Sequence, residues 1–143
     1  MMSKLWVKAV FFTSGAYDFG LGAAFLLFAP FIYRLFHVAQ PGHPFYYQFP
    51  SLEMMIVGVL FCQIGKSPRE NVDLMLYGAA LKSSFVGLVL WYALHAQMPS
   101  FWIPFGWLDA VFLALFLAAW YTTRQDVAPP AAQILSSDGA DIK

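Results

Sequence analysis

The amino-acid sequence predicts an all-α integral membrane protein, a bundle of four transmembrane helices with both termini on the cytoplasmic side. Hydrophobic residues make up 60% of the 143 residues and charged residues only 11%, whereas a soluble domain is about half apolar and roughly a quarter charged. The surplus of apolar surface is best buried in a bilayer. Four apolar runs approach or exceed the length that a transmembrane helix needs, about 20 residues.

The four spans are predicted over residues 7–29, 51–65, 72–94 and 104–122. The first run is longer than the roughly 7–15 apolar residues of a signal peptide, so we expect a retained helix. Pro30 is expected to end or kink this helix, and residues 31–36 to form a short interfacial segment. Pro50 fits the first turn of the second helix, which makes the second span short. The polar link 66–71 predicts a tight hairpin between the second and third helices.

The transmembrane domain is predicted to cover residues 1–124, and residues 125–143 to form a disordered cytoplasmic tail, because few large apolar residues occur there. With a cytoplasmic amino terminus, the outside loops carry only Arg34 as a basic residue, whereas the inside segments carry six. These six are Lys4, Lys8, Lys66, Arg69, Arg124 and Lys143. The pattern predicts a multi-pass protein of the cell membrane, and we expect that membrane to be a bacterial inner membrane.

Charged residues within the predicted spans are the informative ones, because a charge at the centre of a span costs roughly 2.5–3.5 kcal/mol even on the lenient insertion scale. Asp18 lies ten residues beyond Lys8, and Lys82 lies ten residues beyond Val72. Both therefore reach a depth of about 15 Å from the same surface. We predict an Asp18–Lys82 ion pair near the midplane. The pair either fixes helix register or binds a proton or ligand; alternatively, Lys82 reaches the interface or another subunit.

Further candidate residues belong to the outer half of the bundle. Glu53 and Asp109 lie near the outer starts of the second and fourth helices. The other outer-side candidates are His37, His43, His95, Tyr47 and Trp102. These side chains either converge on an outward-facing cavity or lie in interfacial loops and the aromatic belt of the membrane. Neither H-x-x-x-H nor H-E-x-x-H spacing occurs, so no metal site is predicted.

Several classes of function are disfavoured by the sequence. The formal net charge is zero, so there is no basic field for nucleic acid. There is no P-loop, G-x-G-x-x-G, C-x-x-C or G-x-S-x-G motif. The single cysteine, Cys62, lies in an apolar run, where we expect a small buried hydrophobic residue. No catalytic residue is assigned, and no cofactor is required.

The second helix opens with Ser51-Leu52-Glu53-Met54-Met55-Ile56-Val57-Gly58 and is followed by the basic link 66–71. In these segments and in size, the chain resembles the DoxX-like group of small four-helix bacterial membrane proteins over most of residues 7–122. It departs from that group in its long aromatic first loop and in Lys82. The resemblance implies an accessory or assembly subunit of quinone-linked redox metabolism, with a membrane-protein partner or a second copy. A more distant similarity is to the four-helix sterol-isomerase-like fold.

The charged residues favour a different hypothesis. Asp18, Glu53, Lys82 and Asp109 lie within one small bundle, and acids held near a lysine can pass protons. They indicate a proton-linked carrier or a membrane enzyme that acts on a lipid-soluble substrate, such as a quinone or isoprenoid. The candidate ligands on either hypothesis are a quinone or a lipid.

Overall fold

The chain forms four long α-helices in a computed structural model that describes residues 3–95 and 98–127. The helices are α1 (Ser3–Leu35), α2 (Phe45–Lys66), α3 (Val72–Leu94) and α4 (Ile103–Val127), and a 3-10 helix, Ser100–Trp102, precedes α4. The described residues contain no strand. Each α-helix is long and apolar enough to cross a membrane. The predicted all-helical architecture is confirmed, and its four long apolar helices fit a multi-pass membrane protein.

The first helix continues through Pro30 and ends at Leu35, so the expected end of the helix at Pro30 is wrong. A proline removes one backbone N–H from a helix, and packing here offsets that loss. Ala29 and Tyr33 are both buried, and the ring centroid of Tyr33 lies 6.2 Å from that of Tyr47 in α2. Residues 31–35 are therefore the end of α1 and not a separate segment.

The second helix begins at Phe45, and Pro50 lies inside it. The carbonyl oxygen of Pro44 closes the first turn of this helix. It accepts hydrogen bonds from the backbone N–H groups of Tyr47 and Gln48 at 3.1 and 3.0 Å. At 22 residues, α2 is about 33 Å long. The expectation of a short second helix that starts near Pro50 is therefore wrong.

The boundaries of the other two helices agree more closely with the sequence. The third helix covers 72–94, as predicted, whereas α4 begins one residue earlier and ends five residues later than the predicted span 104–122. Residues 125–127 thus belong to α4 instead of the predicted tail. The rest of that tail, 128–143, lies outside the described residues.

Glycines bring α1 and α2 into close contact. A Cβ placed on Gly15 would lie 2.6 Å from the carbonyl oxygen of Gly58, and one placed on Gly58 would lie 2.6 Å from the carbonyl oxygen of Gly15. Close approach through small residues is a main source of helix association in membranes. Helices α3 and α4 form the second extensively packed pair, whereas α2 and α3 touch only slightly.

An aromatic core holds the bundle together at the amino-terminal end, which we define by the start of α1. Phe11, Phe61 and Phe116 are fully buried there and come from α1, α2 and α4. The rings of Phe11 and Phe116 stack with centroids 4.3 Å apart, and Phe61 meets Phe116 edge to face at 4.9 Å. Helix α3 joins them at Gly78, where a Cβ would lie 2.9 Å from the ring of Phe61. All four helices thus meet at this core.

A second aromatic cluster lies at the opposite end of the bundle. Phe25 and Tyr33 of α1 pack edge to face at 5.9 Å, and Trp102 stacks on Phe25 at 5.6 Å. Phe36 lies 4.4 Å from Phe101. The end of α1, the start of α2 and the start of α4 therefore meet at one end, as an up-and-down bundle requires.

Replacement of Gly15 by alanine tests the close contact between α1 and α2. Because the new methyl group would collide with the backbone of α2, we expect Gly15→Ala to lower the free energy of unfolding by about 1–3 kcal/mol. Gly20→Ala is the matched control in the same helix, since nothing lies within 4 Å of its Cβ position. Unfolding in detergent micelles measures both. Equal stability of the two variants would contradict the proposed contact.

Candidate functional site

Lys82 lies between two carboxylates that come from two other helices. Its Nζ donates to Asp18 Oδ1 at 2.7 Å and Oδ2 at 2.9 Å, and to Asp109 Oδ1 at 2.9 Å. The three residues are only 2%, 3% and 6% exposed, respectively. The predicted Asp18–Lys82 ion pair is confirmed, and Asp109 extends it to a group that we call the charged triad.

The helices bring these three residues together for a simple geometric reason. Helices α1 and α3 run in the same direction, so Asp18 and Lys82 reach similar depth when counted from the same end. Helix α4 runs the other way, and its Asp109 lies six residues from the start. The sequence grouped Asp109 with Glu53 and did not predict its contact with Lys82, which forms because the flexible four-carbon stem of lysine lets its Nζ bridge the two levels.

Aromatic rings surround the ammonium group of Lys82. Its Nζ lies 5.3 Å from the ring centroid of Tyr17, 5.6 Å from Phe112 and 5.8 Å from Phe61. A cation within about 6 Å of an aromatic face is attracted by the ring quadrupole. The rings therefore attract the ammonium group and help to bury it.

The aromatic core closes the site towards the amino-terminal end. Phe11, Met75 and Phe116 are all fully buried. Each lies seven residues from a member of the charged triad on its own helix, which corresponds to two helical turns or about 10 Å. A continuous apolar layer thus separates the triad from that end of the bundle.

Towards the opposite end, the charged triad borders a cavity of about 490 Å³. All three triad residues line this cavity. Its aromatic walls are formed mainly by Phe25, Tyr33, Tyr46, Tyr47, Trp102 and Phe105. Along α1 the lining runs from Asp18 to Tyr33, which is about 22 Å of helix. The cavity therefore extends from the charged triad to the opposite end of the bundle.

The structure brings together some of the predicted outer-side residues. Glu53, Tyr47 and Trp102 line the cavity, and Tyr47 is buried. Glu53 is exposed and makes no ion pair within residues 3–95 and 98–127. Its carboxylate is thus held at the cavity without a cation beside it.

The three histidines do not converge. His37, His43 and His95 are all exposed, and none of them lines the cavity. His43 Nδ1 accepts the backbone N–H of Phe45 at 3.2 Å, and His95 Nδ1 lies 2.7 Å from the carbonyl oxygen of Trp91. Of the two alternatives for the histidines, convergence on an outward-facing cavity is therefore not found. In the described part of the chain, no group of three or more His, Cys, Asp or Glu residues is placed to hold a metal ion.

Two tyrosines of the site were missed from the sequence. Tyr17 contacts the ammonium of Lys82, and Tyr33 lines the far part of the cavity. Tyr17 could have been predicted as a site residue, because it is adjacent to Asp18 within the first span. No comparable signal marked Tyr33, because residues 31–36 were expected to form a short interfacial segment after Pro30.

Comparisons of this chain with protein-family models, with curated proteins and with solved structures gave no match. The resemblance to the DoxX-like group stays a prediction.

Removal of the triad lysine tests how the three charges are coupled. Lys82→Met leaves two buried carboxylates without their cation, and we expect a loss of about 3–5 kcal/mol in the free energy of unfolding. Adding Asp18→Asn should restore stability only in part, because Asp109 keeps its charge. The triple variant with Asp109→Asn should restore most of it, since no buried charge remains. Denaturant unfolding in detergent measures the series.

Glu53→Gln is the control for this series. It removes a carboxylate that lines the same cavity but does not touch Lys82, so it should change stability by no more than about 0.5 kcal/mol. A Lys82→Met/Asp18→Asn variant as stable as the natural chain would show that Asp109 is not coupled to the pair.

Proposed function

We propose that this protein is a small membrane carrier that binds a lipid-soluble molecule with a polar head. The observation that carries the proposal is the cavity of about 490 Å³ with the charged triad at its closed end. This volume lies within the roughly 300–1,000 Å³ typical of small-molecule sites. The head of the ligand would meet the triad, and its apolar part would lie along the aromatic walls.

Closure of the site at the amino-terminal end of the bundle fits a carrier. The cavity runs from the triad towards one end of the bundle, and the buried layer of Phe11, Met75 and Phe116 closes the other end. Transporters commonly hold their substrate near the midplane and open to one side at a time. Carboxylates around a lysine also give the site groups that can exchange protons, which fits a proton-linked carrier.

The loose contact between α2 and α3 supports a ligand that arrives through the lipid. Both helices line the cavity, but they touch only slightly. On α3, the lining residues Leu81, Ser84 and Leu88 are exposed. A gap between α2 and α3 would let a lipid-soluble molecule pass sideways from the bilayer into the cavity. The accessory role in quinone-linked metabolism stays a separate prediction from the DoxX-like resemblance.

Two neighbouring serines of α3 offer a matched test of the cavity. Ser84 lines it and Ser83 does not, although both are exposed and both donate to a backbone carbonyl three residues earlier at 2.8 Å. Ser84→Trp would fill the cavity, so we expect it to weaken ligand binding by about tenfold, equivalent to 1.4 kcal/mol, and to lower the occupancy accordingly. Ser83→Trp should leave occupancy unchanged.

Native mass spectrometry of the detergent-purified protein measures the fraction of molecules that carry a co-purified ligand. A natural chain that carries no ligand and binds none of a panel of neutral, cationic and anionic lipid-soluble probes would contradict the proposal. Equal loss of occupancy in the two tryptophan variants would instead place the ligand outside the cavity.

We also propose that both termini are cytoplasmic, in a bacterial inner membrane. The basic residues of the sequence support this orientation, since the loops at the opposite end carry only Arg34. Single cysteines test it in a Cys62→Ala background. A membrane-impermeant maleimide applied to spheroplasts should label Ala39→Cys and not Glu70→Cys, both of which are exposed positions. Lysis should make both reactive, and the reverse pattern would invert the topology.

A further inference from the structure

The charged groups that line the cavity do not balance. Asp18, Asp109 and Glu53 supply three carboxylates, whereas Lys82 supplies one ammonium. No other lysine, arginine or histidine lines the cavity in the described part of the chain. Three carboxyl groups against one ammonium leave up to two negative charges that Lys82 does not compensate. A site in a membrane protein with such an excess attracts positive charge strongly, because little water is present to screen it.

One hydrogen-bond acceptor of the triad is left free. Asp109 uses Oδ1 for Lys82, and its Oδ2 makes no hydrogen bond within residues 3–95 and 98–127. The residue is 6% exposed and lines the cavity. All three acceptors that Lys82 Nζ contacts are carboxylate oxygens, so its donors are already engaged. The triad therefore presents a negative acceptor to a ligand and not a free donor.

The walls of the cavity have the chemistry that suits a cation with apolar groups. Eight aromatic residues line it, including Tyr17 and Phe85 beside the charged level. Aromatic faces attract cations and contribute about 0.5–2 kcal/mol per contact. The same faces disfavour an anion, and the carboxylates of Asp18, Asp109 and Glu53 offer no attraction to the carbonyl oxygens of a quinone.

We infer that the ligand of this cavity is a lipophilic cation, such as an amine or a quaternary ammonium compound with apolar substituents. The inference rests on the proposed function and specifies its ligand class. The positive head lies between Asp109 and Glu53 and against the aromatic walls, while the apolar substituents extend towards the opening between α2 and α3. Lys82 holds Asp18 and Asp109 in place and does not contact the head.

A pair of probes with the same shape and opposite charge tests this inference. Tetraphenylphosphonium and tetraphenylborate differ in the sign of their charge, and a decyl-substituted quinone serves as the neutral probe. Equilibrium dialysis against the full chain in non-ionic detergent measures their binding. We expect the phosphonium to bind at least about tenfold more tightly than the borate or the quinone.

Single substitutions locate the bound cation. Glu53→Gln and Asp109→Asn should each weaken phosphonium binding by about tenfold, whereas Asp73→Asn, an exposed carboxylate outside the cavity, should have no effect. Glu53→Gln does not disturb the triad, so it remains informative if Asp109→Asn fails to fold. Phosphonium binding that neither substitution weakens would overturn the inference.

The outcomes separate this inference from the proposed function. Preferential binding of the quinone or the borate in the cavity, with loss in Ser84→Trp, would overturn the cationic ligand and leave the carrier proposal standing. Failure of all three probes to bind the folded protein would overturn both.

Discussion

A lysine ammonium held between two carboxylates at the centre of the bundle is the interaction on which the other features depend. A single buried charge in a bilayer costs several kcal/mol, and removing one partner from a buried pair is strongly unfavourable. Asp18, Lys82 and Asp109 satisfy each other only when α1, α3 and α4 keep their relative depth and rotation. The triad therefore fixes the register of three of the four helices.

The packing around the triad determines where the bundle is closed and where it is open. Glycine contacts join α2 tightly to α1, and aromatic rings fill the amino-terminal end. The slight contact between α2 and α3 leaves space beside the triad. The charged triad is therefore closed off at the amino-terminal end and borders the cavity at the opposite end.

The two prolines illustrate why sequence rules for helix ends were insufficient. Pro30 and Pro50 both lie inside helices, although proline in a helix interior usually marks a boundary. Membrane helices tolerate proline more readily, because side chains and neighbouring helices satisfy the released backbone groups. Beside Pro50, α2 lies directly against α1, since a Cβ placed on Gly22 would lie 2.5 Å from the carbonyl oxygen of Ser51. Tertiary contacts, which the local sequence does not contain, decided both boundaries.

The sequence by itself determined the membrane class, the four helices and the Asp18–Lys82 pair. Apolar composition and the length of the apolar runs indicate that the helices lie in a bilayer. A rise of 1.5 Å per residue then gives the depth of each residue along its helix. Only the tertiary structure decided that Asp109 completes the triad, that the cavity forms beside it and that the histidines stay apart. These three features depend on the rotation of each helix about its axis and on which helices are neighbours. The position of a residue along its helix specifies neither.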